Sequence, residues 1–337
     1  MILSILAVVI GLVVLVWSAD RFVDGAVGVA QFLGMSTFLI GMLVVGFGTS
    51  APEMVVSILS ALNDTPQLAL GNAYGSNIAN IALILGATAI IAPVVVKRQA
   101  MLRDIPILLF MTVMTIFLLK DGNVSFVDGI VLLMAFVLLT LFNIWLELRD
   151  KRKREKANDS LDEPNDNQES VKISIGKSVL WLLVGLVLLI VSSRMLVWGA
   201  VNIAQALGVS DLLIGLTIVA IGTSLPELAS SIAAARRGEN DLAVGNVIGS
   251  NLFNTLVVVG IAAVIAPINV MEPDVMNRDV PIMTALTLLL FLMCFPLLNR
   301  KKTAGQKEIR FGFGRIAGAF FLMLYVGYLV LLGINAV

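Results

Sequence analysis

The most constraining feature of the sequence is an internal repeat. A shift of 174 residues aligns residues 18–93 with residues 192–267 without a gap. The segment Gly-Thr-Ser-x-Pro-Glu occurs at 48–53 and again at 222–227, and further Gly, Asn and Pro identities continue along the alignment. Because chance does not produce identities at this density, the chain is predicted to contain two copies of one structural unit.

Both copies consist mainly of apolar runs. The chain is 58% hydrophobic and only 14% charged, and an α-helix needs about 20 apolar residues to cross the hydrocarbon core of a bilayer. Ten spans are predicted, near residues 2–30, 36–62, 68–92, 104–119, 125–147, 177–205, 210–235, 241–266, 279–298 and 312–334. The fold class is therefore predicted to be an all-α membrane protein with ten transmembrane helices.

The number of spans in each copy determines how the copies are related. Because five is odd, equivalent helices are expected to cross the membrane in opposite directions. Secondary transporters are often built in this way, with their sites near the bilayer midplane on interrupted helices. We predict inverted five-helix repeats at 1–147 and 177–337, with their most similar parts at about 36–92 and 210–266, joined by a disordered cytoplasmic linker at 148–176.

The distribution of charge predicts the topology. Most of the 23 Lys and Arg residues lie in four loops, at 93–103, 148–176, 236–240 and 299–315. By the positive-inside rule these loops are cytoplasmic, which places both termini outside the inner membrane. The zero net charge gives no indication of a nucleic-acid partner. With no His and a single Cys, Cys294, a Cys or His metal site is excluded, and no cofactor is predicted.

Two acidic residues lie deep within predicted spans, Glu53 in the second and Glu227 in the seventh. An ionisable residue at that depth is a candidate functional residue because its burial is costly. Each follows a proline, Pro52 or Pro226, which lacks the N–H needed for a helical hydrogen bond. Both helices are therefore predicted to break, and the freed carbonyl oxygens need other partners, such as a cation.

Hydroxyl groups add to the oxygen atoms around these breaks. They belong to Thr49, Ser50, Thr223 and Ser224. Calcium binds six to eight hard oxygen ligands in flexible geometry, whereas magnesium requires an octahedron and retains its water. Two carboxylates balance one divalent cation, so exchange of Ca²⁺ against Na⁺ or H⁺ is the predicted chemistry. A kinked helix with a snorkelling acid is the structural alternative, disfavoured because both acids lie too deep.

A second motif, Gly-Asn-x-x-Gly-Ser-Asn-x-x-Asn, occurs at 71–80 and again at 245–254. Within it, residues four apart share one helical face. Four such side chains are predicted to complete the site, namely Ser76, Asn80, Ser250 and Asn254. The alternative for this motif is packing alone, in which the small residues make helix contacts and the Asn side chains bridge helices. If the motif completes the site, its glycines are still predicted to pack, and Asn77 and Asn251 are predicted to be structural.

These paired motifs resemble the α-repeats of the cation/calcium antiporter superfamily, and the chain is most similar to bacterial sodium/calcium exchangers, including the type related to potassium-dependent exchangers. The resemblance covers nearly the whole chain. It implies that spans two, three, seven and eight form the ion core, while spans one and six slide across it in alternating access. It also implies that Glu53 and Glu227 bind Ca²⁺ and share Na⁺ sites with the hydroxyls, assisted by the carbonyls of Gly46 and Ala220.

The sequence departs from that family at two positions. Many members have Asp where this chain has Asn80 or Asn254, so the coupling stoichiometry and any K⁺ dependence stay open. The segment 148–176 is too short for the large regulatory domain of animal exchangers. Calcium/proton antiport remains an alternative, with Glu53 and Glu227 carrying protons, and a cation channel is disfavoured because the acids pair within one monomer. We expect a monomeric antiporter in the lipid bilayer that transports Ca²⁺ and Na⁺.

Overall fold

A computed structural model describes residues 1–63, 65–158, 174–209, 214, 218, 220–268, 274–294 and 311–335. The described helices are α1 (Ile2–Leu33), α2 (Thr37–Thr49), α3 (Ala51–Leu62), α4 (Gln67–Ile91), α5 (Ala100–Leu118), α6 (Phe126–Asn158), α7 (Ile175–Ala206), α8 (Ala220–Thr223), α9 (Leu225–Arg236), α10 (Asn240–Ile265), α11 (Val275–Met293) and α12 (Arg315–Asn335). Two short strands that the sequence did not predict, β1 (Val94–Val96) and β2 (Phe311–Phe313), pair antiparallel.

The helices confirm the predicted membrane architecture. Among the described residues, eight helices are long and apolar enough to cross a bilayer, and α2 with α3 forms a ninth span bent by 46°. The bend falls at Ser50, just before Pro52, as the sequence predicts. The predicted span at 210–235 lies partly outside the described residues, and its described part contains α8 and α9.

The internal repeat extends to local irregularities of the helices. Helix α4 widens into a π-type turn at Asn80–Leu85, and α10 does so at Phe253–Val258. Matching π-type turns begin α5, at Ala100–Asp104, and α11, at Val275–Asp279. Such turns are rare and frequently mark functional sites. The first pair coincides with the predicted site residues of the second motif.

Helix α6 is longer than predicted. It runs to Asn158, so it continues into the segment predicted to be a disordered linker, while residues 159–173 lie outside the described residues. Lys, Arg and Glu dominate residues 151–156, and all three have favourable helix propensities. The Lys151 ammonium group donates a hydrogen bond of 3.1 Å to the Leu33 carbonyl at the end of α1. Lys151 thus joins the beginning of this charged extension to the end of α1.

Burial separates a central layer from peripheral helices. In the most apolar 18-residue stretch of each helix, 72% of the residues of α4 and 83% of those of α10 are buried, against 22% for α6 and 17% for α12. Helices α1 and α7 lie along each other, with the backbone of each beside glycines of the other. The site-bearing helices therefore form the interior, and α1 with α7 forms a separate pair beside it.

Ion pairs tie α1 to the loop between α9 and α10. Arg237 contacts Asp20 at 3.3 Å and also pairs with Asp24. Lys97 pairs with Asp241 at the start of α10. These ion pairs lie beside the loops that the Lys and Arg distribution predicts to be cytoplasmic.

Candidate ion-binding site

Both predicted glutamates lie at the start of a helix that follows a break. Glu53 is in the first turn of α3 and Glu227 is in the first turn of α9, and each is 1% exposed. Proline is well tolerated in a first turn, where its missing N–H leaves no helical hydrogen bond unmade. The positive end of the helix dipole also favours a carboxylate there. The Pro-Glu sequence therefore starts a new helix with its acid in the protein interior.

The two repeats meet at these carboxylates. Glu53 and Glu227 lie within range of electrostatic interaction, and Thr49 and Ser50 of the first repeat lie near Glu227 of the second. Neither hydroxyl makes a hydrogen bond of normal geometry with that carboxylate. Thr49 instead donates at 3.1 Å to the Val45 carbonyl and lies 3.2 Å from Asn246 Oδ1.

Buried oxygen atoms without partners are concentrated in the predicted site. Among the described residues, fifteen buried side-chain nitrogen and oxygen atoms have no hydrogen-bond partner, and eight of these belong to site residues. The eight are Glu53 Oε2, Glu227 Oε1 and Oε2, Oγ of Ser50, Ser224 and Ser250, and Oδ1 of Asn80 and Asn254. Because buried polar atoms are nearly always paired, such a cluster is a candidate cation site with oxygen ligands.

Helices α4 and α10 are joined by amide side chains. Asn80 Nδ2 donates to Asn251 Oδ1 at 2.9 Å, and Asn77 Nδ2 donates to Thr255 Oγ1 at 2.8 Å. These bonds agree with the structural role predicted for Asn77 and Asn251. They also fix the Asn80 side chain by its nitrogen, so that its oxygen remains available.

The glycines of the second motif bring α10 close to α2. Gly245 and Gly249 lie against the backbone of α2, where a Cβ atom on Gly249 would collide with Met42. At the matched glycines of α4, Gly71 and Gly75, an added Cβ atom would meet nothing within 4 Å on other parts of the described chain. The predicted packing role therefore applies to the α10 glycines.

Backbone carbonyls near the breaks have different partners. The Gly46 carbonyl, implied as a ligand, accepts the Ser50 N–H at 3.0 Å, and a Cβ on Gly46 would lie 3.0 Å from the Ser250 nitrogen. Ala220, the other implied carbonyl, begins α8. The carbonyl freed by Pro226 is that of Gly222, and it accepts a hydrogen bond of 2.9 Å from Ser193 of α7. The Ser193 hydroxyl therefore provides a partner for this freed carbonyl.

Replacing Ser193 by Ala is expected to destabilise the protein by about 1–3 kcal/mol, because the buried Gly222 carbonyl loses its partner. The matched control is Ser192→Ala, since Ser192 bonds only to carbonyls of its own helix. Thermal unfolding in detergent measures both variants. Equal unfolding temperatures for the two would contradict the assigned contact.

Sequence reasoning missed one pair of residues at the site, Asn72 and Asn246. Asn246 Nδ2 donates to Ser231 Oγ at 2.9 Å and Ser230 Oγ at 3.1 Å, and it lies 3.4 Å from the Glu227 carbonyl. Asn72 Nδ2 lies 3.5 Å from the Glu53 carbonyl, so the arrangement is repeated in a weaker form. The sequence contained one indication of their role, because Asn occupies the same position in both copies of the motif. A buried amide at such a position needs hydrogen-bond partners.

The fold and the site together define a multi-pass membrane transporter with two inverted repeats and a shared, buried, oxygen-lined site. The chain belongs to the sodium/calcium exchanger protein family, which it matches over residues 3–145 and 177–333. The predicted family and fold class are therefore confirmed, and the protein is a cation/calcium exchanger of this family rather than an enzyme.

Individual relatives match over nearly their whole length. CaxA of Alkalimonas amylolytica is 41% identical over 98% of this chain and 99% of its own. The inner membrane protein YrbG of Escherichia coli K12 is 39% identical, with 88% and 90% covered. The sodium/calcium exchanger MaX1 of Methanosarcina acetivorans is 30% identical, with 98% of each covered. A solved structure of the sodium-calcium exchanger NCX_Mj superposes with a TM-score of 0.79 at 31% identity, covering 96% of this chain and 97% of that one.

Proposed function

We propose that this protein exchanges Ca²⁺ for Na⁺ across the inner membrane by alternating access. The observation that carries the proposal is the cluster of eight buried oxygen atoms without partners, seven of which belong to three matched pairs, Ser50 and Ser224, Glu53 and Glu227, and Asn80 and Asn254. Two carboxylates within it balance one Ca²⁺, and Na⁺ accepts the same hard oxygen ligands. The relatives named as sodium/calcium exchangers, MaX1 and NCX_Mj, support this choice of ions.

In this proposal each predicted ligand has a defined part. Glu53 and Glu227 bind Ca²⁺ directly and share the Na⁺ sites with neighbouring hydroxyl, amide and carbonyl oxygens. Those oxygens belong to Thr49, Ser50, Ser76, Asn80, Thr223, Ser224, Ser250 and Asn254, and to the backbone of Gly46 and Ala220. All lie on α2–α4 and α8–α10 or, for Ser50 and Ser224, at the breaks between these helices, so both repeats contribute to the site equally.

The movement that changes access belongs to α1 and α7. These helices pack on each other and contact the broken helices α2 and α9, so a shift of the pair would uncover one side of the site and cover the other. The inner membrane location is supported by the relative YrbG, an inner membrane protein. We propose external termini from the Lys and Arg distribution, and a monomer because one chain contains both carboxylates.

Calcium uptake into proteoliposomes tests the proposal. With Na⁺ inside, Ca²⁺ outside and a protonophore present, we expect uptake that requires the sodium gradient. The matched control contains equal Na⁺ on both sides, and K⁺ and pH are varied independently. Uptake that ignores Na⁺ but collapses with the protonophore would instead establish calcium/proton exchange, the alternative in which the two glutamates carry protons.

A further inference from the structure

We infer that Arg237 forms an ion-pair latch that stabilises one access state of the exchanger. The latch consists of Arg237, in the loop between α9 and α10, and of Asp20 and Asp24 in α1. The inference rests on the proposed function, because it concerns the balance between the two access states of an alternating-access cycle.

The latch connects two parts of the protein that the proposed movement separates. Asp20 and Asp24 are four residues apart, so both carboxylates lie on one face of α1, which contacts α9. Arg237 directly follows the last residue of α9. Its guanidinium lies 3.3 Å from Asp20 and also pairs with Asp24. A shift of α1 along α9 would therefore break both contacts.

The acidic part of the latch is joined to α7 as well as to α1. The Arg21 guanidinium lies 5.6 Å from the ring centroid of Trp17 and 5.2 Å from that of Trp181. It also contacts Asp24 at 3.5 Å. Because Trp181 belongs to α7, these cation–π contacts tie the two helices together beside Asp24. The pair α1 and α7 therefore carries the acidic part of the latch as one body.

The structure is closed on the side where the latch lies, which is the predicted cytoplasmic side. Gly245 and Asn246, near the start of α10, are buried, and Asn246 is bonded to two hydroxyls of α9. The matched residues near the start of α4 are more open, with Gly71 exposed and Asn72 half-buried. Inverted repeats place such matched positions towards opposite sides of the membrane. The latch is therefore formed in a state that is tighter on its own side.

The matched positions of the other repeat cannot form the same ion pairs. They carry Arg194, Trp198 and Asn63 in place of Asp20, Asp24 and Arg237. Asp64, the acid that follows Asn63, lies outside the described residues. An interaction made in only one of two states shifts the equilibrium towards that state. The latch should therefore favour the state that is closed on the Arg237 side.

The calcium affinity on each side of the membrane tests this inference. The full-length protein is reconstituted in one orientation, and sodium-driven ⁴⁵Ca²⁺ transport gives the half-saturating Ca²⁺ concentration for each side in separate assays. Because only molecules open to a side bind there, the apparent dissociation constant rises as their fraction falls. The latch side chains are between 36% and 44% exposed, and exposed ion pairs shift equilibria only a few-fold.

Arg237→Gln is expected to lower the half-saturating Ca²⁺ concentration on the Arg237 side about threefold and to raise it on the opposite side. Arg237→Lys keeps the charge and should resemble the wild type. The matched control is Arg236→Gln, which removes a charge from the adjacent position. Arg236 is exposed and forms no ion pair within the described part of the chain, so this variant should leave both concentrations unchanged.

The outcomes separate the inference from the function on which it rests. Opposite shifts on the two sides in Arg237→Gln support the latch, whereas unchanged values, or shifts in the same direction on both sides, overturn it. A shift of reversed sign in Arg194→Gln would reveal a second latch on the opposite side and overturn the one-sided bias. Wild-type protein without sodium-driven uptake would instead refute the proposed function.

Discussion

Replacing Glu53 or Glu227 by Gln is expected to lower calcium transport by about 100-fold or more. Gln preserves the shape of the side chain but leaves one carboxylate to balance a divalent cation in a buried site. Removing one partner of a buried charge pair costs about 3–5 kcal/mol, and each 1.4 kcal/mol corresponds to a tenfold change in affinity. Both carboxylates are 1% exposed, so water offers little compensation.

Sodium-driven ⁴⁵Ca²⁺ uptake into proteoliposomes measures the effect, with size-exclusion profiles confirming that each variant is folded. The control is Asp121→Asn, which removes an acid from the exposed turn between α5 and α6 and should transport normally. Near-normal flux in either Glu variant would refute the assigned calcium ligands. Loss of flux in the control would show that the assay reports general damage.

Replacing Asn246 by Ala is expected to weaken both folding and calcium binding more than the matched change at Asn72. Asn246 connects α2, α9 and α10, because it contacts Thr49 while its amide nitrogen binds the hydroxyls of Ser230 and Ser231. Leaving buried polar groups unpaired costs about 1–3 kcal/mol each. Asn72 has one long contact, of 3.5 Å to the Glu53 carbonyl, so Asn72→Ala should cost under about 1 kcal/mol.

Thermal unfolding of both variants in detergent gives the stability difference, and Ca²⁺ titration of the folded protein gives the dissociation constant. If Asn246 positions the Glu227 region, its loss should raise the dissociation constant for Ca²⁺ about tenfold, equivalent to about 1.4 kcal/mol. A purely structural role would lower the unfolding temperature without changing calcium affinity. Equal effects of the two substitutions would contradict the asymmetry between the repeats.

The sequence was informative where one residue type determines the outcome. Pro52 breaks its helix because it lacks an N–H. An acid within an apolar run, such as Glu53, indicates a functional residue, because the run that carries it is buried in the protein or the membrane. The helices that carry these residues were therefore predicted closely: α2 and α3 cover 37–62, against a predicted span at 36–62.

Other features depend on which residues of distant segments face each other. The partners of Asn246 lie on α9 and α2, and no local pattern specifies them. The bond from Ser193 to Gly222 has no counterpart by sequence, because the position matched to Ser193 in α1 is Ala19. The strand pairing between Val94–Val96 and Phe311–Phe313 likewise joins segments far apart in the chain. Such contacts between distant segments emerge only when the repeats are assembled.

The length of α1 and α7 has a consequence for the lipids around the protein. Each helix has 32 residues, about 48 Å at 1.5 Å per residue, whereas the hydrocarbon core is about 30 Å thick. Helices of this excess length are accommodated by tilting. Because α1 and α7 pack on each other, their tilts change together. We therefore expect acyl-chain length to shift the balance between the two access states, so that membrane thickness itself acts on this exchanger.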